Sequence, residues 1–80
     1  MVISAQVSIY PLRQDRLTPA IEEVQKALEA AGLRPATGPM STVVVGEDEA
    51  VLGALREAFR RAAAAGHVVM TLTLSNACPV

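Results

Sequence analysis

The chain begins and ends on the same pattern. Ile3, Ala5, Val7 and Ile9 alternate with Ser4, Gln6, Ser8 and Tyr10, and near the other end Val68, Met70, Leu72 and Leu74 alternate with Val69, Thr71, Thr73 and Ser75. Successive side chains of a strand point to opposite faces, so each segment predicts a strand with one apolar side and one side rich in neutral hydrogen-bonding groups. That second side carries no His, Asp, Glu, Lys or Arg in either segment. It suits recognition of something polar but uncharged, and it is poorly equipped for acid–base catalysis.

Two helical patterns lie between these strands. Pro11 to Arg16 predict a loop, after which Thr18 offers a capping hydroxyl and Pro19 a preset first helical position. Leu17, Ile21, Val24, Leu28 and Ala31 recur at helical spacing and predict a buried stripe, with Glu22, Glu23, Gln25, Lys26 and Glu29 on the wet side. Glu22 and Lys26 are placed for an ion pair of about 0.2–0.5 kcal/mol, and Gly32 ends the helix. The second helix is expected to start with Asp48 as N-cap and to stop at Gly66. Val51, Leu52, Leu55, Phe59 and Ala62 are its predicted buried stripe, and Arg56, Glu57, Arg60 and Arg61 its wet side. Gly53, mid-helix, costs about 1 kcal/mol relative to alanine. Simple tolerance is the default there, and close approach of another backbone or a ligand the alternative.

In the middle of the chain, Arg34 to Thr37 predict an edge strand, because Pro35 removes a ladder donor. Gly38-Pro39 makes a turn, and Met40 to Val45 form a β-branched strand bounded by Gly46. Val43, Val44 and Val45 put apolar groups on both faces, which calls for a second layer or another subunit. The order βαββαβ with right-handed crossovers predicts one α+β domain over residues 1–80. Its form is ferredoxin-like: a four-stranded antiparallel sheet with two helices on one face. The first and third strands are then central and the fourth flanks the first, so the two polar stripes become neighbours on the open face.

Composition narrows the function. A domain of 80 residues buries only about 60–65% of the surface its unfolded chain exposes, so self-association into a dimer or tetramer is expected. A net charge of −1, with one Tyr, one Phe and no Trp, offers neither a basic footprint nor stacking rings for nucleic acid. No apolar run approaches the roughly 20 residues of a membrane span, and no signal-peptide pattern opens the chain, so a cytoplasmic location is expected. Cys78, the single cysteine, cannot form an internal disulfide.

Constellations for chemistry are largely missing. His67, the only histidine, has no metal-ligand spacing or carboxylate pair around it and reads as structural. Cys78, beside Pro79, has no identifiable general base and reads as a small packing residue. The glycines are too scattered for a phosphate-binding loop. Neither a catalytic site nor a metal or cofactor site is therefore expected. Arg13 and Arg16 could hold a phosphate or carboxylate, but Asp15 between them weakens that idea and a solvated loop is the default. Gln6 is different: in a central strand its amide offers a donor pair and an acceptor, which match the amino and ring-nitrogen edge of an aminopyrimidine.

Three patches carry a family resemblance. Ala-Gln-Val-Ser-Ile-Tyr-Pro-Leu at 5–12, Met-Ser-Thr-Val-Val-Val-Gly at 40–46, and His-Val-Val-Met at 67–70 followed by Thr73, Ser75 and Cys78-Pro79 resemble the YkoF-like proteins that bind thiamine and its hydroxymethylpyrimidine moiety. The resemblance spans nearly the whole chain. It implies a ferredoxin-like fold, no catalytic activity and a role in handling thiamine or its pyrimidine precursor. By the same resemblance, Gln6, Ser8, Tyr10, Ser41, Thr42, Thr73 and Ser75 are the implied ligand contacts. Longer members carry two such units in one chain, so pairing of two chains would replace that fusion here. Thr71-Leu72 and Asn76-Ala77 depart from the family pattern, and the loop arginines leave a phosphorylated ligand open. A different class of function, an assembly module whose open face only joins subunits, is the alternative; an enzyme using Cys78 or His67 is the least supported.

Overall fold

The computed structural model describes residues 1–13, 18–38 and 41–77. Strand β1 (Val2–Pro11) leads to helix α1 (Thr18–Ala30), strands β2 (Ala36–Thr37) and β3 (Thr42–Glu47), helix α2 (Asp48–Ala63) and strand β4 (Val68–Ser75). The strands form one antiparallel sheet in the order β2-β3-β1-β4. This is the expected ferredoxin-like βαββαβ architecture. Leu17, Arg16, Pro39, Met40, Cys78, Pro79 and the Thr18 hydroxyl, which the sequence reading used, lie outside the described residues.

Alternation in β1 works as its sequence demands. Ile3, Ala5, Val7 and Ile9 are all buried and join Val44 of β3 with residues of both helices in one aliphatic core. The largest fully buried side chains are Leu28, Val24, Val44 and Val51. α1 closes with a Schellman motif: Gly32 adopts φ 81°, its N–H bonds to the Glu29 carbonyl at 2.9 Å, and the Leu33 N–H reaches back to the Leu28 carbonyl at 3.0 Å. A left-handed turn at this position carries no steric penalty for glycine.

The start of α2 departs from expectation. β3 runs straight into the helix, so Asp48 is its first residue and Glu47 the N-cap, with no side-chain cap bond. The Met1 carbonyl takes the Asp48 N–H at 2.9 Å instead. The Met1 ammonium bonds Glu47 Oε2 at 2.8 Å and Asp48 Oδ1 at 3.3 Å. Those bonds, Glu47 first and Asp48 second, raise the ammonium pKa above its ordinary 8.0. At the other end the helix stops at Ala63 rather than Gly66. β3 is shifted as well, running from Thr42 through Glu47, and β2 is only Ala36–Thr37.

Both helices bury a somewhat different stripe from the one predicted. In α2 the interior arc is Val51, Ala54, Leu55, Ala58 and Ala62, while Leu52 and Phe59 are 43% and 42% exposed. In α1, Ala20 and Ala27 are buried and Ala31 is not. Lys26 pairs with Glu23 at 3.9 Å rather than with Glu22. On β4, Leu72 and Leu74 face the helix side, opposite Val7 and Ala5, yet remain 42% and 48% exposed because α2 leaves the outer margin of that strand uncovered.

Two glycines have separate explanations. A Cβ on Gly46 would stand 2.7 Å from Leu33 Cδ2 and 3.3 Å from Val51 Cγ2, so glycine lets the β3–α2 junction sit against the core. Around Gly53 nothing lies within 4 Å of a built Cβ, which leaves helix propensity as the dominant effect within the chain. Gly53→Ala is therefore expected to stabilise the fold by about 1 kcal/mol, read as a higher urea midpoint with an unchanged m-value.

Candidate functional site

Register decides which polar groups meet. Across β1 and β4, Ser4 faces Ser75, Gln6 faces Thr73 and Ser8 faces Thr71; across β1 and β3, Gln6 faces Val43 and Ser4 faces Val45. The two polar stripes are thus neighbours on the open face, as the topology required. Gln6 Nε2 donates to Ser41 Oγ at 3.1 Å, which ties the central strand to the start of β3. Ser75 Oγ is engaged locally, accepting the Ala77 N–H at 3.0 Å.

A cleft opens where β1 outruns β3. β1 pairs with β4 as far as Pro11, but its last pair with β3 is Val7 with Thr42. The gap holds a cavity of about 80 Å³, lined on the β1 side by Val7, Ser8, Ile9 and Tyr10 and across it by Thr37, Gly38, Ser41 and Thr42. Ile21 and Val24 of α1 also line it. Its far wall is braced: the Gly38 N–H bonds to the Ser41 carbonyl at 2.8 Å, and Gln25 Nε2 of α1 donates to Thr37 Oγ1 at 2.8 Å. A half-exposed tyrosine ring, hydroxyls and apolar walls can hold a small planar molecule between neutral donors and acceptors.

The implied contacts divide accordingly. Ser8, Tyr10, Ser41 and Thr42 line the cleft, and Gln6 joins them through Ser41. Thr73 lies beside Gln6 on the other flank of β1. Ser75 sits two residues further along, away from the cleft. Thr42 differs from the rest: paired with Val7, it takes the helix side of the sheet and is only 5% exposed, so it meets the cleft from within the core. Thr37, Gly38, Ile21 and Val24 line the cleft without having been foreseen, since their part depends on where β3 stops pairing. Among the described residues there is no group of three or more His, Cys, Asp or Glu side chains that could hold a metal ion. Nor is any described helix long and apolar enough to cross a membrane.

The family model for the YkoF-related family matches residues 2–80. The chain belongs to the YkoF-related family. No curated protein matches it. Solved structures support the fold of this family member. A hypothetical protein of Methanocaldococcus jannascii superposes with a TM-score of 0.87 at 23% identity, covering 99% of this chain and 84% of that one. A Thermotoga maritima protein, provisionally described as a thiamine biosynthesis/salvage protein, gives 0.81 at 22% identity over 94% of this chain and 83% of that one. A domain of unknown function from Bacillus cereus gives 0.81 at 17% identity, covering all of this chain and 80% of the other.

Proposed function

We propose that this family member binds thiamine or its hydroxymethylpyrimidine moiety without transforming it, and serves in thiamine or precursor handling. The observation that carries this reading is the Gln6–Ser41 hydrogen bond, which ties the exposed Gln6 amide to a residue lining the cleft. With one amide proton on Ser41, Gln6 keeps a carbonyl acceptor and a second amide proton on an exposed side chain, the complement of an aminopyrimidine edge. Tyr10 supplies a ring against which a flat heterocycle can stack. Among the described residues no charged side chain lines the cleft, which suits a neutral ring rather than acid–base chemistry. The Thermotoga maritima neighbour, provisionally described as acting in thiamine biosynthesis or salvage, agrees with this ligand class.

Isothermal calorimetry with thiamine and with hydroxymethylpyrimidine tests the reading. Saturable binding is expected, weakened by Gln6→Ala and by Ser8→Ala about tenfold each, or roughly 1.4 kcal/mol. No heat and no thermal shift at millimolar ligand would overturn it. One observation favours a second reading: Val43 and Val45 are exposed on the same face as Gln6. That face would then serve to join subunits in an assembly module without a ligand, and native mass spectrometry would show an oligomer that retains no small molecule.

A further inference from the structure

α2 carries more apolar surface than the core takes up. Beside its buried arc runs a second one, Leu52 and Phe59, which stays half-exposed. Phe59 is the only phenylalanine of the chain. Burying it fully would contribute about 1.5–3 kcal/mol, yet the fold leaves it on the wall of an apolar trough between α2 and β4, with Met70 and Leu72 of β4 on the other side. The trough measures about 560 Å³, within the roughly 300–1,000 Å³ of small-molecule sites. From Leu52 to Phe59 its helical wall runs about 10 Å, at a rise of about 1.5 Å per residue. Leu74 prolongs it past Leu52 toward the start of β1. Contiguous apolar surface of this kind marks a binding site, which scattered exposed residues do not.

Charge selects the occupant. Arg56 and Arg60, one helical turn apart, also line the trough. Like charges at that spacing disfavour a helix by about 0.2–0.5 kcal/mol. The neighbouring acid does not relieve them, because Glu57 is held by Arg61 at 3.2 Å. Among the described residues neither arginine makes an ion pair, and no carboxylate lines the trough. Its continuation past Leu52 reaches Asp48, so an elongated anion is oriented with its charged end at the arginines. We propose that the trough binds a single-chain amphiphile with a carboxylate head, its apolar chain lying along Leu52, Phe59, Met70 and Leu72 and its carboxylate held by Arg56 and Arg60. Each guanidinium presents paired N–H donors that match the two oxygens of a carboxylate. Release of the chain from water supplies the affinity, and the arginines fix sign and direction. No residue of the trough also lines the cleft, so this site does not rest on the thiamine reading.

Calorimetric titration of the full chain with dodecanoate below its micelle range tests the proposal, with NMR shifts reporting where the probe lies. Saturable binding is expected, with the largest shifts at Phe59, Met70 and Leu72. Dodecyltrimethylammonium, the same chain with the opposite charge, should bind roughly tenfold more weakly, and acetate, a head without a chain, should give no heat. Arg56→Gln and Arg60→Gln should each weaken dodecanoate roughly threefold, as suits exposed ion pairs, and Phe59→Ser roughly tenfold. All three positions are exposed, so these variants keep the fold, and the comparison of the two amphiphiles needs no variant at all. Val43→Ser, on the open face, should change nothing. Absence of saturable binding overturns the proposal, including the case in which a second copy covers the trough and leaves dodecanoate no site. So do equal affinity for the two amphiphiles, shifts confined to the open face or the cleft, or binding to phosphatidylglycerol vesicles in preference to free dodecanoate.

Discussion

Leu28→Ala is expected to lower the unfolding free energy by about 3 kcal/mol, within the range found for buried leucines replaced by alanine. Leu28 is fully buried, among the largest side chains in the core with no exposure, and the core it belongs to also contains the β-branched Val24, Val44 and Val51. Stiff branched side chains relax poorly into a vacated volume, so the cavity remains and adds its own cost to the lost transfer energy. A domain of this size has roughly 4–12 kcal/mol of stability in all, and the midpoint of thermal unfolding should fall by roughly 12–24 °C. The Schellman bond survives, because Leu33 donates to the backbone carbonyl at position 28. Circular dichroism on heating measures the effect, and Leu52→Ala, at a 43% exposed position, is the comparison that should cost much less.

Enlarging a small interior residue should be nearly as damaging. Ala58 has no exposed surface, and α2 packs against α1 and against β1, β3 and β4. Its interior arc alternates bulk with near absence of bulk: Val51, Ala54, Leu55, Ala58, Ala62. The alanines let the helix approach its neighbours closely, and Ala58→Leu inserts three carbons where no side chain can retreat. The expected loss is about 1–3 kcal/mol, seen as a lower urea midpoint. The same change at the exposed Ala63 should leave that midpoint almost unmoved.

These positions also show what the amino-acid order could and could not reveal. Alternation in β1 named its buried residues and its polar ones, because one face of a central strand must meet the helices. That the polar stripes of β1 and β4 lie side by side followed from topology alone, whereas the facing of Gln6 and Thr73 is a matter of register. Leu52 and Phe59 were assigned to the interior because large apolar residues at helical spacing outweigh alanine in any reading of periodicity. In α2, however, apolar residues occupy more than half the circumference, and the tight packing of the helix selects the alanine side. Leu72 and Leu74 fell on the predicted face, but alternation says nothing about how far a helix reaches across a strand. Thr42 was grouped with Ser41 by resemblance, whereas its pairing with Val7 turns it toward the core. The cleft was illegible for a related reason: it exists because β3 ceases to pair at Thr42, a register property of the hairpin.

The pairing of Ser4 with Ser75 brings the head of β1 beside the tail of β4. Two copies of such a unit can therefore be threaded in series by a short tether, without reopening either sheet. Gene duplication would find this architecture ready for fusion, and a designer seeking a covalent tandem would need only to choose the connecting segment.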